Sequence, residues 1–300
     1  MSKLHISVCP LCGNSQQKHI MNCVDHYATG EAFEVCQCET CGFRFTQNAP
    51  IESQIGKYYE TPDYISHSDT HKGIINSIYH LVRKKMLHRK YSLIKNRTGL
   101  SSGNLLDIGT GTGYFSNYIQ QKGWNVKAIE KSAQARAFAK EHFNLDVYDE
   151  TQLDKFGPKS FDVITLWHVM EHLEHLNETW ETLSSLLTDK GVLIVAVPNC
   201  TSYDAKRYKQ YWAAYDVPRH LWHFSPSTMQ QFGAKHNFIL AGQYPMPFDA
   251  FYISMLSEKY KKASFPFLKG MYAGSIAWLQ TLAQKEKSSS MIYILRKKNA

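Results

Sequence analysis

The alternation of apolar and polar positions is clearest between residues 103 and 199, where short apolar runs are separated by longer amphipathic stretches. Leu105-Leu106-Asp107-Ile108, Val126-Lys127-Ala128-Ile129, Asp146-Val147-Tyr148, Phe161-Asp162-Val163-Ile164-Thr165-Leu166 and Val192-Leu193-Ile194-Val195-Ala196-Val197 read as strands. Thr112 to Lys122, Ala133 to His142 and Glu171 to Leu187 read as helices. Gly123 suits the C-terminal cap of the first, and Ser132 can cap the start of the second. Strand and helix in turn predict a parallel sheet with helices on both faces. Ser225-Pro226 opens a further helix, with Ser as cap and Pro at the first helical position. Phe238 to Tyr244 and Met291 to Leu295 supply two closing strands, and Leu268 to Ala283 reads as an amphipathic helix, its apolar side more often on the core and less often on a membrane surface.

Around this α/β region the chain divides into a Cys-rich segment, 1–48, a helical connector, 49–99, and a main domain, 100–300, with 200–224 and 245–288 as insertions on the substrate side. In the connector, Tyr58, Tyr59 and Tyr64 are candidates for a lid, and Lys72 to Arg97 reads as a basic helix. The 300 residues, 43% hydrophobic, are ample for a core. The start Met1-Ser2-Lys3-Leu4-His5 has no apolar signal region, and no run of about 18 apolar residues occurs, so a cytoplasmic location without a transmembrane helix is expected. The net charge of +8 suits nucleic acid, a membrane surface or an anionic small molecule. The densest run, Arg83 to Lys90, reads as the solvated side of a helix.

Six of the seven cysteines fall in the first 41 residues. Cys9-Pro10-Leu11-Cys12-Gly13 and Cys38-Glu39-Thr40-Cys41-Gly42 are two Cys-x-x-Cys-Gly knuckles. Without a secretory signal such spacing points to metal rather than disulfides. Cys9, Cys12, Cys38 and Cys41 suit a tetrahedral zinc ion of structural type, since four thiolates leave no open position. Cys23 and Cys36 are spare thiols, and Cys36 competes as a ligand.

Asp107-Ile108-Gly109-Thr110-Gly111-Thr112-Gly113 lies between the first strand of the region and its helix. Glycines there let backbone approach a ligand, and the helix start offers free N–H groups. Glu130 ends the next strand, where a carboxylate accepts hydrogen bonds from ribose hydroxyls. A dinucleotide loop would need glycine at position 114, which is Tyr114. Leu106 to Gly113, Glu130, Phe161-Asp162-Val163-Ile164 and Gly191-Val192-Leu193-Ile194 together resemble the class I S-adenosylmethionine-dependent methyltransferases over about residues 100 to 200. The resemblance implies a Rossmann-like seven-stranded sheet with a reversed last strand. It implies that Asp107, Gly109, Thr110, Gly111 and Gly113 hold the methionine end of S-adenosylmethionine, that Glu130 holds its ribose, and that Asp149 or Glu150 lies near the adenine.

His168-Val169-Met170-Glu171-His172 matches the inverted zinc-protease pattern, with 168 and 172 on one face if helical. The same stretch also resembles the helix that follows the fourth strand in the methyltransferase class, and that reading is preferred. Trp167 and His168, just past a strand end, are placed beside the cofactor. Trp212 to Phe224 brings Tyr215, Asp216, Arg219, His220 and His223 into one aromatic-rich stretch. A histidine there can serve as base for methyl transfer and Arg219 can clamp a phosphate or carboxylate; the bland alternative is a structural salt-bridge network. The zinc knuckles, Tyr58-Tyr59 and Asp216 to His220 are similar to bacterial methyltransferases, some of whose zinc-bearing relatives resemble sugar C-methyltransferases. The expected function is methyl transfer to carbon or oxygen of a small anionic metabolite such as a sugar or polysaccharide precursor. The alternatives are an rRNA or tRNA methyltransferase that binds RNA through the zinc module and basic helix, and a scaffold without turnover.

Overall fold

The apolar run Leu105 to Ile108 becomes an interior strand of a seven-stranded sheet, in a computed structural model that describes residues 3–59 and 74–298. Tyr64 and Lys72 lie outside the described residues. The first sixty residues hold β1 (Lys3–Leu4), β2 (Gln17–Val24), β3 (Ala32–Cys38), β4 (Arg44–Gln47) and β5 (Ala49–Pro50). Then follow α1 (Ile74–Thr98), β6 (Asn104–Ile108), α2 (Tyr114–Gln120), β7 (Asn125–Ile129), α3 (Ala133–Phe143), β8 (Val147–Tyr148), β9 (Phe161–Trp167), α4 (Leu176–Leu186) and β10 (Leu187–Pro198). The chain ends with α5 (Tyr203–Tyr208), β11 (Trp222–His223), α6 (Pro226–Lys235), β12 (Phe238–Pro245), α7 (Asp249–Tyr260), α8 (Pro266–Ala283) and β13 (Ser290–Lys297). The large sheet has the order β12-β13-β10-β9-β6-β7-β8. β6 runs parallel to both neighbours, with Leu106 beside Lys127 on one side and Ile164 on the other. The chain therefore builds outward from β6 through β7 and β8, then returns to its other flank at β9. Open α/β sheets bind ligands at such a reversal, beyond the carboxyl ends of the strands.

The chain divides into two compact units. One comprises Pro62–Trp167, Glu178–Val195 and Ile294–Ala300. In it Leu105, Leu106, Val163, Ile164 and Leu166 are fully buried along β6 and β9, and Ala128, Ala139 and Leu145 pack together with Phe143 and Val147. The other comprises Met1–Thr61, His168–Asn177 and Ala196–Tyr293. It contains a four-stranded sheet, β11-β4-β3-β2, in which Trp222 pairs with Phe45 and His223 with Arg44. Phe33 and Val35 alternate inward on β3, and Phe43 packs against Trp222, Phe224 and Phe232. The Cys-rich segment thus shares its sheet and core with residues near 222.

The helix expected over 171–187 is replaced by a 3-10 turn, Met170–His172, a bend, and then α4 from Leu176. The carbonyls that would start a longer helix are taken elsewhere: Leu221 N–H donates to Glu171 O at 2.8 Å, and Trp222 Nε1–H to Leu173 O at 2.6 Å. His168, just before the turn, has a left-handed φ of 58°, a backbone a β-bearing residue adopts only when held there.

The helix expected to turn its large apolar side to the core instead buries a stripe of small residues. Gly270, Ala273, Gly274 and Ala277 of α8 are buried, while Leu268, Tyr272, Leu279 and Leu282 are exposed. Close approach of α7 is the reason: a Cβ on Gly270 would lie 2.5 Å from Met255 Cα, and one on Gly274 2.8 Å from Phe251 Cα. Among the described residues no helix is long and apolar enough to cross a membrane. Gly270→Val should force the two helices apart and cost about 1–3 kcal/mol in urea denaturation, the range for overpacking. Leu268→Lys, on the outer face, should change stability by no more than about 0.5 kcal/mol.

Candidate functional site

In the first unit the glycine loop leaves the end of β6. Gly109 N–H and Thr110 N–H both donate to Ile129 O, at 2.8 and 3.0 Å, which ties the loop to the end of β7. Gly109, Gly111 and Gly113 all have positive φ. Two of them are needed for different reasons. A Cβ on Gly113 would meet Ala139 Cβ at 2.9 Å, so that glycine lets the loop pack on α3. A Cβ on Gly111 would meet nothing within 4 Å, so its backbone faces open space that a ligand can enter.

Two carboxylates set the loop. Asp107 is buried on β6 and accepts from Thr165 Oγ1 at 2.7 Å and Ser116 Oγ at 2.8 Å. Burial pushes its carboxyl up despite these hydrogen bonds. Both oxygens therefore have partners within the chain, and Asp107 acts on the loop by holding the start of α2. Glu130 follows β7, accepting from Gly111 N–H and Ser132 N–H, each at 2.9 Å. It is half-buried, so it stands at the loop's tip where ribose hydroxyls could replace or share these donors. Trp167 ends β9 with Lys90 Nζ 4.0 Å from its ring centre and Phe115 edge-on at 5.4 Å. Among the described residues its buried Nε1–H has no hydrogen-bond partner. Open backbone at Gly111, a carboxylate beside it and an unpaired donor fit a nucleoside-bearing cofactor. Asp149 is exposed and accepts from Thr151 N–H at 3.0 Å, capping the 3-10 turn Glu150–Lys155.

The second unit collects a different group. Arg219 is almost fully buried. Its Nε–H and Nη2–H donate to the two oxygens of Asp216, at 2.9 and 2.6 Å, Nη2–H also reaches Asp25 at 3.1 Å, and Nη1–H donates to Tyr58 O at 2.8 Å. The anion expected at this guanidinium is thus supplied by the chain itself. Asp25, which sequence reasoning missed, also accepts from Tyr27, Ala28 and Thr29 N–H groups. The only sequence signal for it is an Asp followed by a short polar turn.

Around this ion cluster lie three histidines. His220 Nδ1 is 2.9 Å from Ala214 O, and its Nε2 has Asp216 Oδ2 at 3.9 Å. His172 Nδ1 is 3.0 Å from Arg219 O and 3.2 Å from Tyr59 Oη. Burial and the neighbouring His220 push the His172 imidazole down to about 4. His168 lies between Glu171 at 3.4 Å and Asp249 at 3.5 Å. Burial lowers it, but the two carboxylates outweigh that and hold it at about 9. His223 and Tyr215 are not part of this group. His223 Nε2 pairs with Thr46 Oγ1 at 3.0 Å, Tyr215 Oη accepts from Arg44 Nη1–H at 3.2 Å, and their rings meet edge-on. Burial drives the His223 imidazole well below its ordinary value.

Cys9, Cys12, Cys38 and Cys41 come together, with Sγ atoms all within 4.8 Å of one another. The Cys9–Cys41 and Cys12–Cys38 separations are 3.6 and 3.5 Å. Four sulfurs at ~2.3 Å from a tetrahedral ion lie about 3.8 Å apart, so the set fits such an ion. Gly13 and Gly42, both at φ 76°, close the knuckles by donating to Cys9 O and Cys38 O. Cys36 is outside the cluster, and Cys23 is buried in an apolar core that pushes its thiol up to about 12.

A family model described as Methyltransferase domain matches residues 82–241, more than half of the chain. An uncharacterized methyltransferase of Staphylococcus carnosus is 31% identical over 120 residues, 39% of this chain and 56% of that protein. The mitochondrial ubiquinone biosynthesis O-methyltransferase of Schizosaccharomyces pombe is 28% identical over 127 residues, 40% of this chain and 46% of that protein. The chain spans about half the length of these curated relatives. The crystal structure of magnesium protoporphyrin IX methyltransferase from Synechocystis PCC 6803, with bound SAH, is alike in fold: TM-score 0.53 at 13% identity, covering 82% of this chain and 100% of that one.

Removing Arg219 would leave Asp25 buried without its cation. Arg219→Met should therefore lower the unfolding free energy by about 3–5 kcal/mol, the cost of breaking a buried pair by one partner. A loss in urea denaturation under about 1 kcal/mol, the range of an exposed pair, would show that the cluster is not structural.

Proposed function

Because the chain belongs to the methyltransferase domain family, we propose that it transfers the methyl group of S-adenosylmethionine to an oxygen or carbon of a small metabolite. The observation that carries this reading is the match over residues 82–241, which includes the glycine loop with Gly111 opening to free space beside the Glu130 carboxylate. When bound, S-adenosylmethionine supplies an electrophilic methyl group on a sulfonium. The loop backbone at Gly109, Thr110, Gly111 and Gly113 holds the methionine end of the cofactor, and Glu130 accepts from the ribose hydroxyls. Asp107 positions the loop from within, and Trp167 borders the cofactor with its indole N–H. His220 takes the acceptor's proton: with Nδ1–H given to Ala214 O, its Nε2 carries the lone pair. Asp216 and Arg219 keep that loop in place.

The O-methyltransferase names among the relatives support oxygen as the acceptor atom. The anionic character expected of the acceptor loses its main support, since Arg219 is engaged within the chain. The RNA reading loses part of its basic surface, because Arg83 lies over the Tyr114 ring at 3.9 Å and Lys90 over Trp167. The four-cysteine cluster would hold a structural zinc ion, making residues 1–48 a zinc-ribbon-like segment.

Methyl transfer from labelled S-adenosylmethionine into fractionated cell extract tests the acceptor class. Label should enter the small-metabolite fraction; label in RNA would overturn the reading. Glu130→Ala should weaken S-adenosylmethionine binding several-fold by calorimetry while leaving the melting profile unchanged. Wild-type affinity in that variant would remove the ribose assignment.

A further inference from the structure

The cysteine cluster does not exhaust the metal-ligating chemistry of the chain. Glu171, His172 and His220 each offer one ligand atom, and these atoms lie within 4.8 Å of one another. In both imidazoles Nδ1 is engaged by a backbone carbonyl, which leaves Nε2 as the nitrogen available to a metal ion. Nδ1 of His172 faces the carbonyl of Arg219, and Nδ1 of His220 faces the carbonyl of Ala214. A carbonyl only accepts, so each Nδ1 carries the proton and each neutral ring keeps its lone pair at Nε2. Metal-bound histidines show this division, with the second nitrogen fixed by a carbonyl or carboxylate. The two rings meet edge-on with centroids 4.5 Å apart.

Glu171 supplies the independent observation. Its side chain is completely buried, and among the described residues neither carboxylate oxygen accepts a hydrogen bond. Its nearest cationic neighbour is His168 Nδ1 at 3.4 Å, a ring shared with Asp249. Arg219 is likewise shared, between Asp216 and Asp25. Even with His168 charged, four carboxylates (Glu171, Asp249, Asp216 and Asp25) face two cations. A buried carboxylate with neither a hydrogen bond nor a full countercharge is costly, and a divalent ion would balance the surplus.

We propose that Glu171, His172 and His220 form a mononuclear site for a divalent first-row transition-metal ion, separate from the cysteine cluster. Two imidazoles and one carboxylate suit zinc, iron or manganese, and three protein ligands leave positions open for an oxygen ligand. The site is not the one that His168-Val169-Met170-Glu171-His172 suggests as a sequence pattern. Both nitrogens of His168 are directed at carboxylates, and His220 from a distant loop takes its place. With the ion in place His220 Nε2 is a ligand and no longer a base, so an acceptor hydroxyl bound at an open position would lose its proton to solvent through the acidity the ion confers, not to His220. This use of the ion, though not the ion itself, rests on the methyl-transfer reading.

The test strips the full chain with chelator and reloads it with cobalt(II), reading metal content by mass spectrometry together with the visible spectrum. Cobalt in the cysteine cluster gives intense thiolate charge-transfer bands; cobalt on nitrogen and oxygen gives only weak ligand-field bands. Wild-type protein should take up two cobalt ions, one of each kind. Glu171→Gln and His220→Gln should each retain only the charge-transfer ion, and Cys38→Ser only the other. A wild-type protein that saturates at one cobalt overturns the proposal whether or not the variants fold. So does a folded Glu171→Gln protein that still holds two. S-adenosylmethionine binding, measured on the same samples, reports separately on methyl transfer: its absence with two ions present would sink that reading and leave the metal site standing.

Discussion

One guanidinium organises the unit that contains the cysteine knuckles. Arg219 joins Asp216 on its own loop to Asp25 at the end of β2 and to the carbonyl of Tyr58 after β5. Three separate stretches of chain are fixed to one planar fork, a geometry that a lysine ammonium cannot reproduce. The consequence reaches beyond the side chain. With the loop held, the backbone carbonyl of Arg219 is available to His172 Nδ1, and Ala214 O, just before Asp216, is available to His220 Nδ1. The ion cluster thus sets the tautomer of two histidines through their Nδ1 atoms alone.

The glycine loop of the other unit follows the same logic with carboxylates in place of the arginine. Asp107 is buried near the end of β6 and restrained by two hydroxyls, so its role is to fix where α2 begins. Glu130 braces Gly111 from the next strand and remains half-buried. One acid is locked in the sheet and the other stays within reach of a ligand. The difference follows from position: residue 107 lies inside β6, whereas residue 130 has just left β7.

Much of this could be read in the sequence because it is local. The strands from β6 to β9, the loop between β6 and α2, and the two knuckles each declare themselves within ten or so consecutive residues. What could not be read depends on distant partners. β11 is two residues long and has no periodicity of its own; it exists because Phe45 and Arg44 pair with it. The helix expected from Glu171 begins at Leu176 because Leu221 and Trp222 claim the carbonyls of Glu171 and Leu173. In α8 the apolar residues are real but face outward, since only the glycines and alanines allow α7 to come so close. Asp25 gives almost no local signal, and its arginine lies 194 residues away.

The two histidines of the Trp212–Phe224 stretch show how pairing separates residues that look equivalent in the sequence. His220 and His223 are three positions apart in the same aromatic surroundings. The register of β11 on β4 places His223 opposite Arg44, where Thr46 Oγ1 meets its Nε2 and Tyr215 closes over the ring. Its Nε2 joins two segments, and burial keeps the ring neutral. His220 lies just outside that pairing. Its Nδ1 is held by a backbone carbonyl, and the nearest carboxylate to Nε2 is 3.9 Å away, beyond hydrogen-bond range. Of the two, only His220 has Nε2 clear of a hydrogen bond to a neighbouring segment. The end of a two-residue strand decides which histidine ties two segments together and which does not.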